Sequence, residues 1–134
     1  MRQAKFRAWI EKKNENYNFS CGMHPWETIK NWVHLWEMVE EELVILEQFT
    51  GLPEKNKLEL YAGDIVKIQL YPGSVNSFKP IFAEVKWADH VHGWAFYEPK
   101  YKKWDTVFTM HYDDEKTCVI EKVGNIHENG DLLK

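Results

Sequence analysis

A chain of 134 residues, 44% of them hydrophobic, is sized for one ordinary domain, or a domain with a subordinate lobe, and needs no disulfide or metal to fold. Its formal net charge of -4 argues against wholesale phosphate binding, because nucleic-acid affinity rests on Lys and Arg displacing counterions, although a local basic face stays open. The aromatic share of 15%, with 7 Trp, means that a few large rings must fill the core or an interface. Met1 to Arg7 has no long apolar segment behind it, so the reading has no secretory signal, no membrane span and a cytoplasmic location. Cys21 and Cys118 follow no CxxC spacing and read as reduced thiols.

Lys5 to Ile10 alternates, with Phe6, Ala8 and Ile10 on one side and Lys5, Arg7 and Trp9 on the other, as a half-buried strand does. Glu11 to Asn16 is a charged turn, Tyr17 to Phe19 reads as a short second strand, and Cys21 to Pro25 breaks the run. From Trp26 the period changes. Trp26, Ile29, Val33, Trp36, Val39, Leu43 and Leu46 recur at steps of three and four, which predicts one amphipathic helix in the N-terminal half. Glu40, Glu41 and Glu42 would crowd negative charge at its C-terminus, so the helix is ended near Val39 and a strand begun at Leu43.

The stretch Gln48 to Ile68 reads as strand, turn, strand. Its apolar run stops at Thr50-Gly51, Pro53 to Lys57 is a polar turn, and Leu58 to Ile68 resumes across Gly63-Asp64. Gly63 can take the positive φ of a sharp reversal, and Asp64 can accept backbone N–H groups two residues on. Asp64 to Tyr71 is a strand closed by Pro72-Gly73, and a polar loop through Ser77 and Pro80 leads to a strand over Ile81 to Ala88. Asp89 to Gly93 is a turn, Trp94 to Tyr97 a strand, Tyr101 to Tyr112 a looser aromatic segment, and Asp113-Asp114-Glu115 a turn. Thr117 to Val123 is a strand, and Gly124-Asn125-Ile126 a last short pairing. Several short strands at even spacing point to a small barrel, so the fold class is mainly β.

Four blocks, Lys5-Phe6-Arg7-Ala8-Trp9, Gln48-Phe49-Thr50-Gly51-Leu52 with the Lys55-Asn56 turn, Leu60-Tyr61-Ala62-Gly63-Asp64-Ile65-Val66, and Val123-Gly124-Asn125-Ile126-His127-Glu128-Asn129, resemble the YopX-type phage and prophage proteins in order and spacing. Two positions depart from that pattern, Lys57 where glycine is expected and Ala62 where glutamate is common. The resemblance implies one domain over residues 1–134, with a strand and helix portion (1–50) and a partly open barrel portion (51–134), and self-association. It implies no catalytic residue and no cofactor. Its motif residues, Trp9, Thr50, Gly51, Tyr61, Gly63, Asp64, Gly124 and Asn125, read as architecture. The Gly63 to Val66 entry is also similar to strand entry in an SH3-like barrel.

Chemistry-bearing constellations are sparse. His90 and His92 flank Val91 and would share one face of a strand, a metal-site spacing, but the segment reads better as a turn. Cys21 with His24 lacks a second ligand pair, and no spacing holds a base against either thiol. No Gly-rich phosphate loop, HExxH or GxSxG occurs. Two basic and aromatic patches remain: Arg7 with Trp9 on the first strand, and Tyr97, Lys100, Tyr101, Lys102, Lys103 and Trp104 in a loop, against the plainer readings of a solvated face and a lid over the barrel end. The expectation is a non-enzymatic binding or assembly module encoded by a phage or prophage, self-associating and meeting a phage or host protein in the cytoplasm. The alternative is a nucleic-acid-binding accessory protein, with a metal- or thiol-dependent enzyme third.

Overall fold

A computed structural model describes residues 4–53, 55–56, 58–70, 79–105 and 118–134, and the chain falls into two compact units, Met1–Phe49 and Thr50–Lys134. The fold is mainly β, with two short helices and one sheet curled into a half-barrel, as the spacing of short strands predicts.

In the first unit, β1 (Phe6–Ile10) is flanked by β2 (Gly22–His24) and by the start of β3 (Ile45–Pro53), both antiparallel. Ala8 and Ile10 project from β1 into a core with Ile29, Leu35, Met38 and Val44. The second strand lies three residues beyond the predicted Tyr17 to Phe19. Those two side chains instead cover the core edge, Phe19 stacked on Trp32 with ring centroids 3.9 Å apart, and the expected break at Cys21 to Pro25 is where pairing occurs.

The single predicted helix is two: α1 (Trp26–Ile29) and α2 (Leu35–Glu40). Between them Trp32 N–H donates to Ile29 O at 2.9 Å and Leu35 N–H to Trp32 O at 3.3 Å, tight three-residue bonds that advance the chain faster than an α-helix does. The apolar stripe therefore loses its phase. Leu35 and Met38 are buried, while Val33 and Trp36, assigned to the stripe, stand 88% and 62% exposed. The helix stop near Val39 holds to within a residue. Glu42 takes a left-handed φ of 60°, Leu43 N–H reaches back to Met38 O at 2.9 Å, and Glu42 N–H to Val39 O at 3.0 Å, the paired bonds of a Schellman termination.

The boundary between the units lies within β3, which reaches Pro53 instead of stopping at Thr50-Gly51, and β4 (Glu59–Tyr61) is its neighbour. In the second unit a five-stranded antiparallel sheet runs in the order β8 (Lys103–Asp105), β7 (Gly93–Glu98), β6 (Ile81–Ala88), β5 (Asp64–Leu70), β9 (Cys118–Asn125). Val66 and Ile68 of β5, Ala83 and Val85 of β6, Phe96 of β7 and Ile120 of β9 point to one face and, with Leu60, form the core. β6 has the predicted bounds because Pro80 and Asp89 punctuate both ends. A 3₁₀ turn, Asp89–Val91, joins β6 to β7, and a second, Gly130–Leu133, packs on β6. The predicted turns at Pro72-Gly73 and Asp113-Asp114-Glu115, the Ser77 loop and Thr106 to Tyr112 lie outside the described residues.

Candidate binding surface

The residues that carry the sequence blocks form a junction in the second unit. Gly63, at φ 89°, donates its N–H to Val85 O at 2.9 Å and accepts Ile126 N–H at 2.9 Å, so one turn ties β6 to the chain leaving β9. Asp64 is fully buried, and its Oδ2 accepts Tyr61 N–H at 2.8 Å, three residues back instead of two residues on as its type suggests. Lys122 Nζ lies 3.3 Å from the same oxygen. Asn125 Oδ1 accepts the N–H groups of His127 at 2.9 Å and Glu128 at 3.0 Å, while Asn129 Oδ1 accepts Asn125 N–H at 3.1 Å. The Asn129 side chain occupies the space a Cβ on Gly124 would need. These groups hold backbone in place.

The predicted basic and aromatic loop is a hairpin. Tyr101 N–H donates to Glu98 O at 3.2 Å and Lys102 N–H to Pro99 O at 3.3 Å, two overlapping turns that join β7 to β8, and Lys102 takes a left-handed φ of 51°. Lys100, Tyr101, Lys102 and Lys103 are exposed at this tip, Tyr101 by 67%. Behind the tip Tyr97 and Trp104 are cross-strand partners with ring centroids 4.7 Å apart. Lys86 Nζ sits 5.1 Å above the Tyr97 ring, and His90 meets the Trp104 edge at 5.3 Å. Sequence reasoning missed Lys86 and His90 as members of this face. The β6–β7 register that brings Lys86 beside Tyr97 has no marker in the residues themselves.

Arg7 and Trp9 belong to the other unit and make no exposed patch. Arg7 is buried with its Nε 2.9 Å from Glu47 Oε1, opposite it on β3, and Trp9 is half-buried with its indole N–H donating to Glu11 at 2.7 Å. The solvated face expected for Arg7 is therefore corrected: an opposed carboxylate neutralises it in place. His90 and His92 do not share a strand face, because His90 lies in the 3₁₀ turn and His92 is left-handed at φ 49°. Among the described residues no three His, Cys, Asp or Glu side chains gather into a metal-holding group. His24 instead contacts Ser20 O at 2.7 Å and the Trp32 edge, and Cys21 is an exposed thiol.

A cleft of about 330 Å³ opens beside the hairpin tip, between the start of β6, the β7–β8 turn and the Gly130–Leu133 turn. Its walls carry Lys79, Lys100, Lys134 and Glu98, with Phe82, Tyr101 and Leu132. Only Lys100 and Tyr101 were singled out in the sequence. The others converge through β6 and the last turn, which the strand pattern does not join.

A small mainly β protein with a sheet curled into a half-barrel, tied at a Gly-Asp turn, is the class these observations define. The YopX protein family model matches residues 5–134, and the chain belongs to that family. The chain is similar to the crystal structure of protein EF1440 from Enterococcus faecalis, with a TM-score of 0.50 and 22% identity over 98% of this chain and 99% of that one, a likeness of fold. No curated protein matches the chain. Among the described residues no helix is long and apolar enough to cross a membrane.

Proposed function

We propose that this YopX-family protein is a non-catalytic binding module of a temperate phage or prophage, acting in the cytoplasm of the bacterial host as a self-associated assembly that docks an acidic surface of a phage or host protein. The observation that carries the reading is the β7–β8 tip, where two overlapping turns hold Tyr101 exposed among Lys100, Lys102 and Lys103, backed by the Tyr97 and Trp104 rings. A pre-formed turn loses little entropy on docking, and an exposed tyrosine set among cations supplies apolar area inside an electrostatic frame. Capture of partners from induced lysogenic cells, with wild type and with Lys102→Glu/Lys103→Glu, tests it. The expected result is a defined protein recovered by wild type and lost with the charge reversal. Recovery of the same set by both overturns the reading.

A second reading, a nucleic-acid accessory protein, is favoured by Lys86 over Tyr97 and by the Tyr97 and Trp104 pair, a cation and ring arrangement on which bases stack. Single-stranded DNA binding that weakens steeply with added salt supports it, and no binding at low salt removes it.

A further inference from the structure

We propose that the cleft between the start of β6, the β7–β8 turn and the Gly130–Leu133 turn binds a phosphate monoester attached to a planar base, either a free nucleoside monophosphate or the 5′-phosphorylated end of a single strand. Charge chooses the head group. Three lysines, Lys79, Lys100 and Lys134, line the cleft against one acidic residue, Glu98, which leaves its walls cationic. A phosphate monoester carries about -1.5 to -2 at neutral pH, whereas a carboxylate or an internal phosphodiester carries only about -1. Lys134 also lies 3.4 Å from Asp131, but both side chains are largely in solvent, so this pair yields readily to a dianion.

Exposed apolar area chooses the body. Phe82 and Tyr101 stand 37% and 67% exposed, and both line this cleft. A base laid against either ring covers it, and stacking tolerates any base because every base presents a π face. A volume of about 330 Å³ is at the small end of ligand sites and suits one nucleotide unit. Lys100, whose Nζ lies 5.4 Å from the Tyr101 ring centroid, joins the two halves of the site.

The cleft shares Lys100 and Tyr101 with the docking tip, but the titration that tests it needs no macromolecular partner, so its failure leaves the docking reading standing. Calorimetric titration of the full chain uses AMP, adenosine, inorganic phosphate, and a ten-nucleotide oligothymidylate with and without a 5′-phosphate. AMP or the phosphorylated oligomer is expected to saturate one site, with adenosine, phosphate and the 5′-hydroxyl oligomer each weaker by about tenfold or more, since each lacks one half of the recognition. Tighter binding of AMP assigns the free nucleotide as the source, and tighter binding of the phosphorylated oligomer assigns the strand end. Lys100→Gln and Tyr101→Ala are each expected to weaken binding about tenfold, with Lys30→Gln, in the other unit, as the unaffected control. No saturation by AMP or the phosphorylated oligomer, adenosine, phosphate or the 5′-hydroxyl oligomer matching whichever phosphorylated ligand saturates, or binding unchanged in both cleft variants overturns the proposal.

Discussion

Arg7 and Glu47 illustrate what a single residue's neighbours decide. Both side chains are less than a tenth exposed, and they meet at 2.9 Å across the β1–β3 ladder. Two charges withdrawn from water offset much of that cost by facing each other, so removing one leaves the other's burial poorly compensated. Glu47→Leu is expected to cost about 3–5 kcal/mol in urea unfolding, whereas Arg7→Met with Glu47→Leu costs much less, because no uncompensated charge remains. A single substitution no worse than the double one would show that the pair is solvated. In the sequence Arg7 looks like a solvent-facing cation, since the alternation of Phe6, Ala8 and Ile10 leaves it on the far side of the strand. What buries it is a carboxylate forty residues away, and the register that opposes the two has no local signature.

At the scale of elements, the pattern of residues was most informative where punctuation is strong. β6 sits between Pro80 and Asp89, β5 begins at the Gly63 turn, and both have the starts that their residues predict. The helices were less legible. Steps of three and four from Trp26 to Leu46 count correctly only if the helical phase is continuous, and the tight bonds at Trp32 and Leu35 interrupt it. Leu35 and Met38, off the predicted stripe, join the stripe's Ile29, Val39 and Leu43 in packing, while Val33 and Trp36 leave it. For the binding surface, the Tyr97 and Lys100 to Trp104 run is visible because it is contiguous, whereas Lys86, His90, Phe82 and Lys134 join it or the cleft through the sheet. The end of α2 carries a measurable cost. Glu42 holds the left-handed position that glycine fills best, in a termination whose two back-bonds are already made. Glu42→Gly is expected to raise stability by about 0.5–1 kcal/mol, since a left-handed backbone costs a side-chain-bearing residue about that much net of glycine's entropy. An unchanged or lower urea midpoint would mean that the Glu42 side chain supports the turn.

At the scale of the whole molecule, acid sensitivity follows from exposed ion pairs, one local to α1 and one joining the turn at Lys55 to β9. The hydrogen bond from Lys55, and then its charge, hold the Glu121 carboxyl below its ordinary value of 4.5, and Lys30 does the same for Glu27. A carboxyl lowered on folding releases its proton more readily in the native state. Its contribution is therefore fully present above the ordinary value and is lost as pH falls through the lowered one. Thermal midpoints are expected to drop as pH falls below the ordinary value of 4.5, and Glu121→Gln should make that drop shallower. An identical acid limb in the variant would remove Glu121 as a contributor. Both carboxyls are solvent-accessible, so added salt should shrink the difference as well.

The strand order β7-β6-β5-β9 has a consequence for how the protein is made. β5 lies between a hairpin neighbour that follows it closely and β9, which arrives only after β6, β7 and β8 have left the ribosome. Until then one side of β5 offers unpaired N–H and C=O groups, and Gly63 lacks the Ile126 N–H that clamps its carbonyl. Synthesis thus passes through an interval in which β5 is half-zipped and open to a neighbouring nascent chain on the same message, and emergence of residues 118–126 closes that interval.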